Sequence, residues 1–431
     1  MTKTAVPVAS PAPLRISYIL PQFPVPTEVF AISDIAALRD LGHQVAVHTI
    51  KPRPKDELTR LRLCGVPDDL TIYRPTWAGA LQWPGLLWRQ RRQAWLLARR
   101  VLASAPSAPR TALSALLSLP RALEITEETR GCDIVHVFWS RHPGLVLAAL
   151  ESMKLPALRS AFVGAYDLVA DDFLVELTLG AAEVVFSHAE ANLDYARAKA
   201  PAHVPVHIVH RGIPLSPLGS EGQRERFRWI TASALVREKN VEAVIRLFAA
   251  ARAHEPRLTM MVFGEGPDRD RLRAAIDDLG CSKAITMMGH APRSELFEQL
   301  QLSGAFLLLS KKPSERLPNV VKEALWAGCA VISSKSEGIE ELIPDPRIGF
   351  VVDPDDPEAT LAAARSVLSE TPAQAAERQD RARAVIQERF SSEGSMRRYV
   401  DAWCLALASR QLPIPLRSEA DISTPSARCP S

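Results

Sequence analysis

The sequence predicts an α/β protein with two Rossmann-like domains that face each other across a cleft. Buried strands alternate with helices twice, once before and once after the turn-rich linker Pro214–Gly222. The length of 431 residues exceeds what one hydrophobic core usually organises. Because strand–helix–strand units connect right-handed, each series predicts a parallel sheet. Two halves of similar size therefore enclose an interdomain pocket.

The first series opens with a buried strand, Leu14–Leu20, and a proline-stiffened loop that enters a helix. Thr27 is suited to cap this helix, whose first turn holds Glu28. Ligands of parallel sheets bind at the carboxyl ends of the strands, so this loop is predicted to lie at the mouth of a site. The alternative is a rigid connector without a ligand.

The segment Trp77–Leu123 interrupts the α/β rhythm with seven arginines, four tryptophans and no acidic residue. If it is helical, Trp88, Arg92, Trp95 and Arg99 share one stripe. Tryptophan with arginine is typical of contact with an anionic membrane surface. The alternative is an amphipathic helical hairpin packed on its own domain, with solvated arginines. Nucleic acid is not expected, because no binding motif accompanies the patch and the net charge is only +3.

Polar groups recur at the ends of the following strands. His136 lies in the strand Cys132–Phe138, and Asp167 follows the strand Ala157–Val163. A single histidine at such a position is more often structural than catalytic. Asp167 is the acid of the first half that we expect to take part in catalysis.

The second half contains two glutamates, Glu315 and Glu323, with seven residues between them. Apolar residues at helical spacing predict a half-buried helix here, with Pro318 in its first turn. Its free backbone N–H groups form an anion site at the positive helix end. These groups lie around Leu317, Asn319 and Val320, while Pro318 has no N–H of its own. A site that binds a phosphate and offers two carboxylates as acceptors for sugar hydroxyl groups would suit a nucleotide sugar. The alternative is that Glu315 and Glu323 are surface residues that flank a core helix.

Two further loops are predicted to converge on the same site. Ala234–Asn240 contributes Arg237 and Lys239 as cations for a diphosphate. In the second loop, Gly264 and Gly266 allow the backbone to approach a ligand closely. The alternative for the cations is a solvent-facing position near a helix start.

The bulk composition limits the remaining classes of protein. Six scattered cysteines without a CxxC or Cys/His cluster argue against a disulfide framework or zinc site and favour a reducing cytoplasm. No apolar run is long enough to span a bilayer, and the first residues do not resemble a secretory signal. Residues 1–13 and 412–431 are predicted to be disordered tails.

In this order, the motifs resemble the retaining glycosyltransferases of the GT-B fold, family 4 (group 1), especially bacterial exopolysaccharide and lipopolysaccharide biosynthesis members. The resemblance runs from about Leu14 to Tyr399. It rests on the following stretches: TEVF at Thr27–Phe30, HRGI at His210–Ile213, LVREKN, FGEGP, ERLPNVVKEALWAG from Glu315, and FSSEGSMRRYVDAW from Phe390. It implies transfer of a sugar from a nucleotide-sugar donor to a glycan or lipid-linked acceptor, without metal or another cofactor. The membrane contact expected of the segment Trp77–Leu123 would place such a cytoplasmic protein on the inner face of the membrane.

The resemblance also implies roles for single residues. Lys239 would neutralise the donor diphosphate, Glu323 would hold the ribose, and Glu315 the transferred sugar. Donor binding would also involve Arg237, Gly264, Gly266, Leu317, Pro318, Asn319 and Val320. Catalysis would involve Glu315, Lys239 and Asp167, while Thr27, Glu28 and His136 would face the acceptor.

The implied domains are an acceptor domain, 14–213, with the insertion 77–123, and a donor domain, 214–389. A terminal helix, 390–411, would cross back to the first domain.

The chain departs from the family pattern at two positions. Ala234 stands where the family often has a phosphate-binding arginine, and Gly164 where many members carry a histidine. Two alternatives therefore stay open: a catalytically weakened GT-B module that acts as a partner in polysaccharide assembly, and a GT-B sugar-nucleotide epimerase. The motifs specify neither the base, the sugar nor the acceptor.

Overall fold

The structure is a computed structural model that describes residues 12–25, 29–54, 56–63, 65–164, 167, 172–219, 224–312 and 315–411. The strands are β1 (Arg15–Leu20), β2 (Gln44–Thr49), β3 (Thr71–Tyr73), β4 (Ile134–Phe138), β5 (Leu158–Phe162), β6 (Val184–Ser187), β7 (Val206–Ile208), β8 (Glu225–Ala232), β9 (Thr259–Phe263), β10 (Ile285–Gly289), β11 (Ser303–Leu308), β12 (Ala330–Ser334) and β13 (Phe350–Val352).

The helices of the first half are α1 (Val29–Asp40), α2 (Glu57–Leu63), α3 (Trp77–Arg89), α4 (Arg91–Ala103), α5 (Pro109–Glu128), α6 (Gly144–Met153), α7 (Phe173–Ala181) and α8 (Leu193–Lys199). Those of the second half are α9 (Val241–Arg252), α10 (Arg269–Asp278), α11 (Arg293–Leu302), α12 (Asn319–Ala327), α13 (Pro357–Ser369), α14 (Pro372–Arg389) and α15 (Ser392–Gln411).

The strands form two separate parallel sheets. The first has the order β3-β2-β1-β4-β5-β6-β7 and the second the order β10-β9-β8-β11-β12-β13. Central strands such as β4 and β12 are buried at every position, as expected where helices cover both faces of a sheet. In both sheets the strand order reverses beside the first strand of the series, which is the arrangement that opens a crevice at the carboxyl ends. The two α/β domains predicted from the sequence are confirmed.

Three short elements had no sequence signal strong enough to predict them: α2, β3 and β13. The strands β3 and β13 have three residues each and lie at sheet edges. Such short edge strands carry little hydrophobic periodicity, because only one neighbour and one or two inward side chains define them.

The insertion is built from three helices and not from one hairpin. The helix α3 ends at Arg89 and α4 begins at Arg91, with Gln90 between them. Trp88 therefore belongs to α3, while Arg92, Trp95 and Arg99 belong to α4, and the single stripe predicted for these four residues is wrong. A helix break of one residue is invisible to a periodicity argument when both flanking turns are amphipathic.

The last helix, α15, packs against the first sheet. Its Trp403 is fully buried and donates a hydrogen bond from Nε1 to Ser160 Oγ at 2.9 Å. Tyr399 stacks on Phe186 of β6 with ring centroids 3.8 Å apart. These contacts attach the end of the chain to the core of the first domain.

Thr27, Glu28 and the predicted tails, apart from residues 12 and 13, lie outside the described residues. Among the described helices, none is both long and apolar enough to cross a bilayer.

Candidate active site

A cavity of about 1410 Å³ lies between the two domains, at the carboxyl ends of both sheets. Its first-domain wall comes from residues that follow β1, β2, β4 and β6, and from α3 and α5. Its second-domain wall is the loop after β11 and the start of α12, including Lys312 and Lys322. This is the cleft that the sequence predicts, and it exceeds the roughly 300–1,000 Å³ of an ordinary single-ligand pocket.

Glu315 on this wall forms an ion pair with Lys239. Lys239 Nζ lies 2.5 Å and 2.6 Å from the two carboxylate oxygens of Glu315. Both side chains are largely buried, and the pair joins two loops that are 76 residues apart in sequence. The structure thus brings together two of the three predicted catalytic residues at the edge of the cavity.

The N-terminus of α12 faces the same space. The helix begins at Asn319, and Pro318 is the capping residue rather than part of the first turn. Pro318 makes no side-chain capping hydrogen bond, so among the described residues the first N–H groups of the helix are left for a ligand. Leu317 directly before it has a φ of 48°, a strained conformation for a bulky residue. The strain turns the chain so that Leu317, Pro318 and Asn319 all line the cavity.

Glu323 is paired with Arg293 of α11. The Arg293 Nε donates to Glu323 Oε1 at 2.8 Å, and a second guanidinium nitrogen lies 2.7 Å away. Burial raises the pKa of Glu323, and the charge of Arg293 opposes that shift. Arg293 also contacts the first domain, because its Nη1 lies 3.5 Å from the Oγ of Ser33 in α1. A ligand that binds Glu323 would therefore also lie beside this contact between the two domains.

Lys322 is a site residue that the sequence reasoning missed. Its side chain is almost fully buried, and its Nζ donates to the carbonyl of Arg211 at 2.8 Å and to Asn319 Oδ1 at 3.1 Å. Burial, together with the charge of Arg211, lowers the pKa of Lys322 to about 7. The available signal was a lysine inside the apolar stripe directly before Glu323.

Arg211 is the second missed residue, although it stands in the HRGI motif. Its guanidinium lies 3.9, 4.4 and 4.6 Å from the ring centroids of Phe30, Phe138 and Phe162, and it lines the cavity. The Arg211 Nε is 3.7 Å from Asp34, whose pKa burial raises to about 6. An aromatic box of this kind holds the arginine charge at the domain junction.

The glycines of the GEGP loop serve packing in this structure. A Cβ at Gly264 would overlap the carbonyl oxygen of Ser233, and one at Gly266 would overlap the carbonyl of Leu235. Gly264 also has a φ of 130°. The structure thus shows that two backbone segments approach each other closely at these glycines, and their contact with a ligand stays a prediction.

Arg237 is exposed and does not belong to the cavity wall. Val320 is partly buried at the start of α12 and packs against the core of the second domain. Neither side chain lines the site, so any contribution of Val320 to anion binding comes from its backbone.

Asp167 and His136 are buried and do not line the cavity. Asp167 Oδ2 accepts from Gly164 N at 2.9 Å, and burial raises the pKa of Asp167 to about 7. His136 lies within hydrogen-bond distance of Ser160, at 2.8 Å, and burial lowers its pKa to about 3. The acceptor-side position expected of His136 is wrong, because α15 covers this histidine with Tyr399 and Trp403.

Trp139 explains the departure at Gly164. A Cβ at Gly164 would meet the Trp139 ring at 2.9 Å, so the indole fills the space that a side chain at 164 would need. Trp139 lines the cavity and has a φ of 71°, the first-domain counterpart of the strain at Leu317. No sequence pattern marks such a residue.

The insertion forms part of the cavity rim. Trp77 and Trp83 of α3 and Leu117 of α5 line it. Trp77 is 92% and Leu117 71% exposed, whereas Trp83 is anchored by a hydrogen bond from Nε1 to Glu124 at 3.1 Å. Arg121 is buried between Glu124 and Glu128, so the interpretation of all seven arginines as solvated is wrong.

Comparisons with known proteins agree with this architecture. Residues 221–385 match the model of the family described as "Glycosyl transferases group 1". The structure of HepE from Anabaena, in complex with UDP and glucose, is similar with a TM-score of 0.63 and 15% identity; the match covers 91% of this chain and 100% of that one. The chain is therefore a protein of the GT-B fold.

Two curated relatives match parts of the sequence. The GtfA subunit of the UDP-N-acetylglucosamine–peptide N-acetylglucosaminyltransferase of Streptococcus gordonii is 29% identical over 144 residues, 32% of this chain and 28% of the relative. The lipopolysaccharide core biosynthesis glycosyltransferase LpsE of Rhizobium meliloti is 25% identical over 178 residues, 41% and 44%. The chain thus matches less than half the length of these relatives. The match of residues 221–385 to the group 1 glycosyltransferase model lies within the second domain and agrees with the resemblance predicted from the sequence.

Proposed function

We propose that the protein is a retaining glycosyltransferase that moves a sugar from a nucleotide-sugar donor to a glycan or lipid-linked acceptor in polysaccharide assembly. The observation that carries the proposal is the Glu315–Lys239 pair near the N-terminus of α12, with Glu315 lining the interdomain cavity and Lys239 behind it. A cation, free N–H groups and a carboxylate are the three groups that a sugar diphosphate requires.

In the proposed reaction, the donor diphosphate lies against α12. Lys239 and the helix dipole stabilise the charge that develops on the leaving diphosphate, while Glu315 accepts hydrogen bonds from hydroxyls of the transferred sugar. Glu323 accepts hydrogen bonds from the ribose hydroxyls and gives up part of its contact with Arg293. The acceptor oxygen attacks the sugar from the same face from which the leaving group departs. The proton of the acceptor oxygen passes to the leaving phosphate. Retention of configuration and metal independence are parts of this proposal.

Thermal stabilisation by nucleotides tests the donor site. We expect one of a panel of UDP-, GDP- and ADP-sugars to raise the melting temperature and to be hydrolysed slowly, with activity unchanged by a chelator. Glu323→Ala and the milder Glu323→Gln should weaken the nucleotide effect. A protein that no nucleotide of the panel stabilises would contradict the proposal.

Two other functions compete with this one. A catalytically weakened partner module would bind nucleotide without turnover, whereas an epimerase would alter the donor without an acceptor. The first alternative is motivated by Gly164, which stands where many family members have a histidine. In this chain, Trp139 fills the space that a side chain at position 164 would need. Chromatographic analysis of donor and product separates the three functions directly.

We also propose that the insertion contacts an anionic membrane surface, which would place the protein on the inner face of the membrane in the cytoplasm. Trp88 and Trp95 are exposed, and the Arg91 and Arg99 guanidiniums lie 5.4 and 5.0 Å from their ring centroids. Exposed indole rings with arginine suit the headgroup region.

Vesicle sedimentation tests the membrane contact. The double variant Trp88→Ala and Trp95→Ala should reduce binding to anionic vesicles. The matched control is Leu405→Ala, which removes an equally exposed apolar side chain from α15. A wild-type protein that does not sediment with anionic vesicles would remove this proposal.

A further inference from the structure

The carboxylate of Glu315 belongs to a short segment, Glu315–Leu317, that is held at each of its residues. Glu315 is bound by Lys239, and the side chain of Leu317 is buried in the core of the second domain although its φ is 48°. Backbone strain of this kind persists only where the surroundings fix it. Arg316, between the two, lines the cavity, and its side chain is only 10% exposed. The contacts that hold Arg316 therefore also help to hold Glu315.

The Arg316 guanidinium has two partners, one in each domain. Its Nη2 pairs with Glu337 of the second domain, whereas its Nη1 donates to Oδ1 of Asn192 in the first domain. The Arg316 Nε is buried and has no hydrogen-bond partner among the described residues, so these two contacts define the position of the guanidinium. Because the Glu337 side chain is 56% exposed, its ion pair contributes little.

Asn192 is a fixed anchor for this arginine. It lies directly before α8, is fully buried, and donates from Nδ2 to Ser187 Oγ at 2.8 Å. Ser187, the last residue of β6, donates in turn to the carbonyl of Val163 at 2.7 Å. Because the Asn192 amide nitrogen is used in this way, its Oδ1 is the atom that remains for Arg316. A change at Asn192 would thus act on the second-domain wall from across the domain boundary.

The same first-domain segment is held by a second side chain of the other domain. Both carboxylate oxygens of Glu341 accept from the backbone N–H of Glu190, at 3.1 and 3.0 Å. The Glu341 Oε2 also lies 2.7 Å from His210 Nε2, in the segment that connects the domains. The hydrogen bond between Arg316 and Asn192 therefore forms where the two domains are already in contact.

We propose that Arg316 is a positioning residue, which places the Glu315 carboxylate for the transferred sugar through its hydrogen bond to Asn192 of the other domain. The inference rests on the proposed glycosyl transfer, in which Glu315 accepts hydrogen bonds from the sugar hydroxyls. Without the contact to Asn192, the strained segment relaxes, and a displacement of about 1 Å at a reacting site costs up to about a hundredfold in rate. The nucleotide part of the donor is bound by other groups, namely Glu323 and α12.

Two ligands separate this role from a general loss of structure. They are the nucleotide sugar of the panel that stabilises the wild type, and its nucleoside diphosphate, which lacks the hydroxyls proposed to bind Glu315. We expect Asn192→Ala to leave the affinity for the nucleoside diphosphate unchanged. The variant should bind the nucleotide sugar more weakly and hydrolyse it about tenfold more slowly. Calorimetry with the full chain measures the two affinities, and chromatography measures the hydrolysis.

Arg316→Met removes the same hydrogen bond from the second domain, so its result does not depend on how well Asn192→Ala folds. It should reproduce the difference between the two ligands, and Arg316→Lys should restore part of the rate. The double variant should lose no more than either single variant, because both substitutions break one bond. The matched control is Glu337→Ala, which removes the other partner of the same guanidinium and should behave as the wild type does.

Wild-type hydrolysis in both Asn192→Ala and Arg316→Met would overturn the inference. An equal loss of affinity for the two ligands would do the same, since it would show a structural role only. Additive losses in the double variant, or a loss in Glu337→Ala as large as in Asn192→Ala, would also overturn it. A wild type that binds no nucleotide of the panel would contradict the proposed glycosyl transfer and, with it, this inference.

Discussion

The two walls of the cavity are built in opposite ways. The second-domain wall is nearly one continuous stretch, from Lys312 after β11 to Lys322 in α12. The first-domain wall is assembled from segments that follow several strands, from α1 and from two helices of the insertion. The first arrangement leaves a short motif in the sequence, and the second leaves none. A site on the second-domain wall can therefore be recognised from the sequence, whereas one on the first-domain wall cannot.

The two walls also differ in where the partners of their charged residues lie. In the second domain, the ion pair Lys239–Glu315 includes a carboxylate that lines the cavity, although Arg316 of the same wall is paired with Glu337, which does not line it. In the first domain, arginines at the cavity are neutralised from behind, as Arg121 is by Glu124 and Glu128. Substitutions in the first set should thus alter chemistry, and substitutions in the second set should alter stability.

Lys239→Ala should have the largest effect on activity. Loss of a cation aimed at the leaving diphosphate should reduce kcat about a hundredfold or more. Steady-state kinetics with the stabilising nucleotide sugar measures it, and Lys239→Arg should retain part of the rate because it keeps the charge. Lys283→Ala is the control. A Lys239→Ala enzyme with wild-type kcat would show that the pair with Glu315 is only structural.

Arg121→Met should lower the free energy of unfolding of the first domain by about 3 kcal/mol, because two carboxylates lose a buried partner. The Arg121 Nε also donates to the carbonyl of Thr49 at 3.0 Å. Urea denaturation measures the change, with the exposed Arg110→Met as the matched control. Equal stability of the two variants would contradict the distinction between the walls.

Gly264→Ala should destabilise the second domain by about 2 kcal/mol, since alanine is strained at a φ of 130° and its Cβ overlaps Ser233. The matched control is Gly180→Ala in α7, where a Cβ would have no neighbour within 4 Å. Thermal unfolding of both variants measures this difference in stability. Unchanged stability together with weakened nucleotide binding would restore the ligand-contact interpretation of Gly264.

Asp167→Asn should change the pH dependence of stability, by at most about 4 kcal/mol, because each pKa unit corresponds to about 1.4 kcal/mol. The folded protein holds the Asp167 proton up to a pKa of about 7, whereas the unfolded chain releases it near the ordinary value of 3.8. Its contribution to stability is therefore complete below pH 3.8 and is lost as pH rises through 7.

The variant lacks this ionisation, so the gap between wild type and Asp167→Asn should close or reverse from pH 5 to pH 8. Melting temperatures across that range test it, and the other titrating groups, such as Asp34, cancel because both proteins contain them. A constant gap would show that Asp167 does not titrate in this window.

The sequence led to the donor wall because its determinants are local. Glu315, Glu323 and the apolar stripe between them predict a loop, a helix start and two carboxylates on one stretch of chain, and the structure has these elements. The residues that were missed, Lys322 and Arg211, become neighbours only when the segment after β7 meets α12 at the domain junction. Trp139 and His136 were indistinguishable from core residues in a strand pattern.

By itself, the sequence determined the two α/β domains, the cleft between them and the Glu315–Glu323 stretch, because strand and helix periodicity, glycine and proline positions and motif spacing all act over a few residues. The tertiary structure decided which charges face the cavity and which are neutralised behind it. It also placed His136 under α15, and Trp77 and Leu117 at the rim. These outcomes depend on packing between segments far apart in the chain, and no local pattern encodes them.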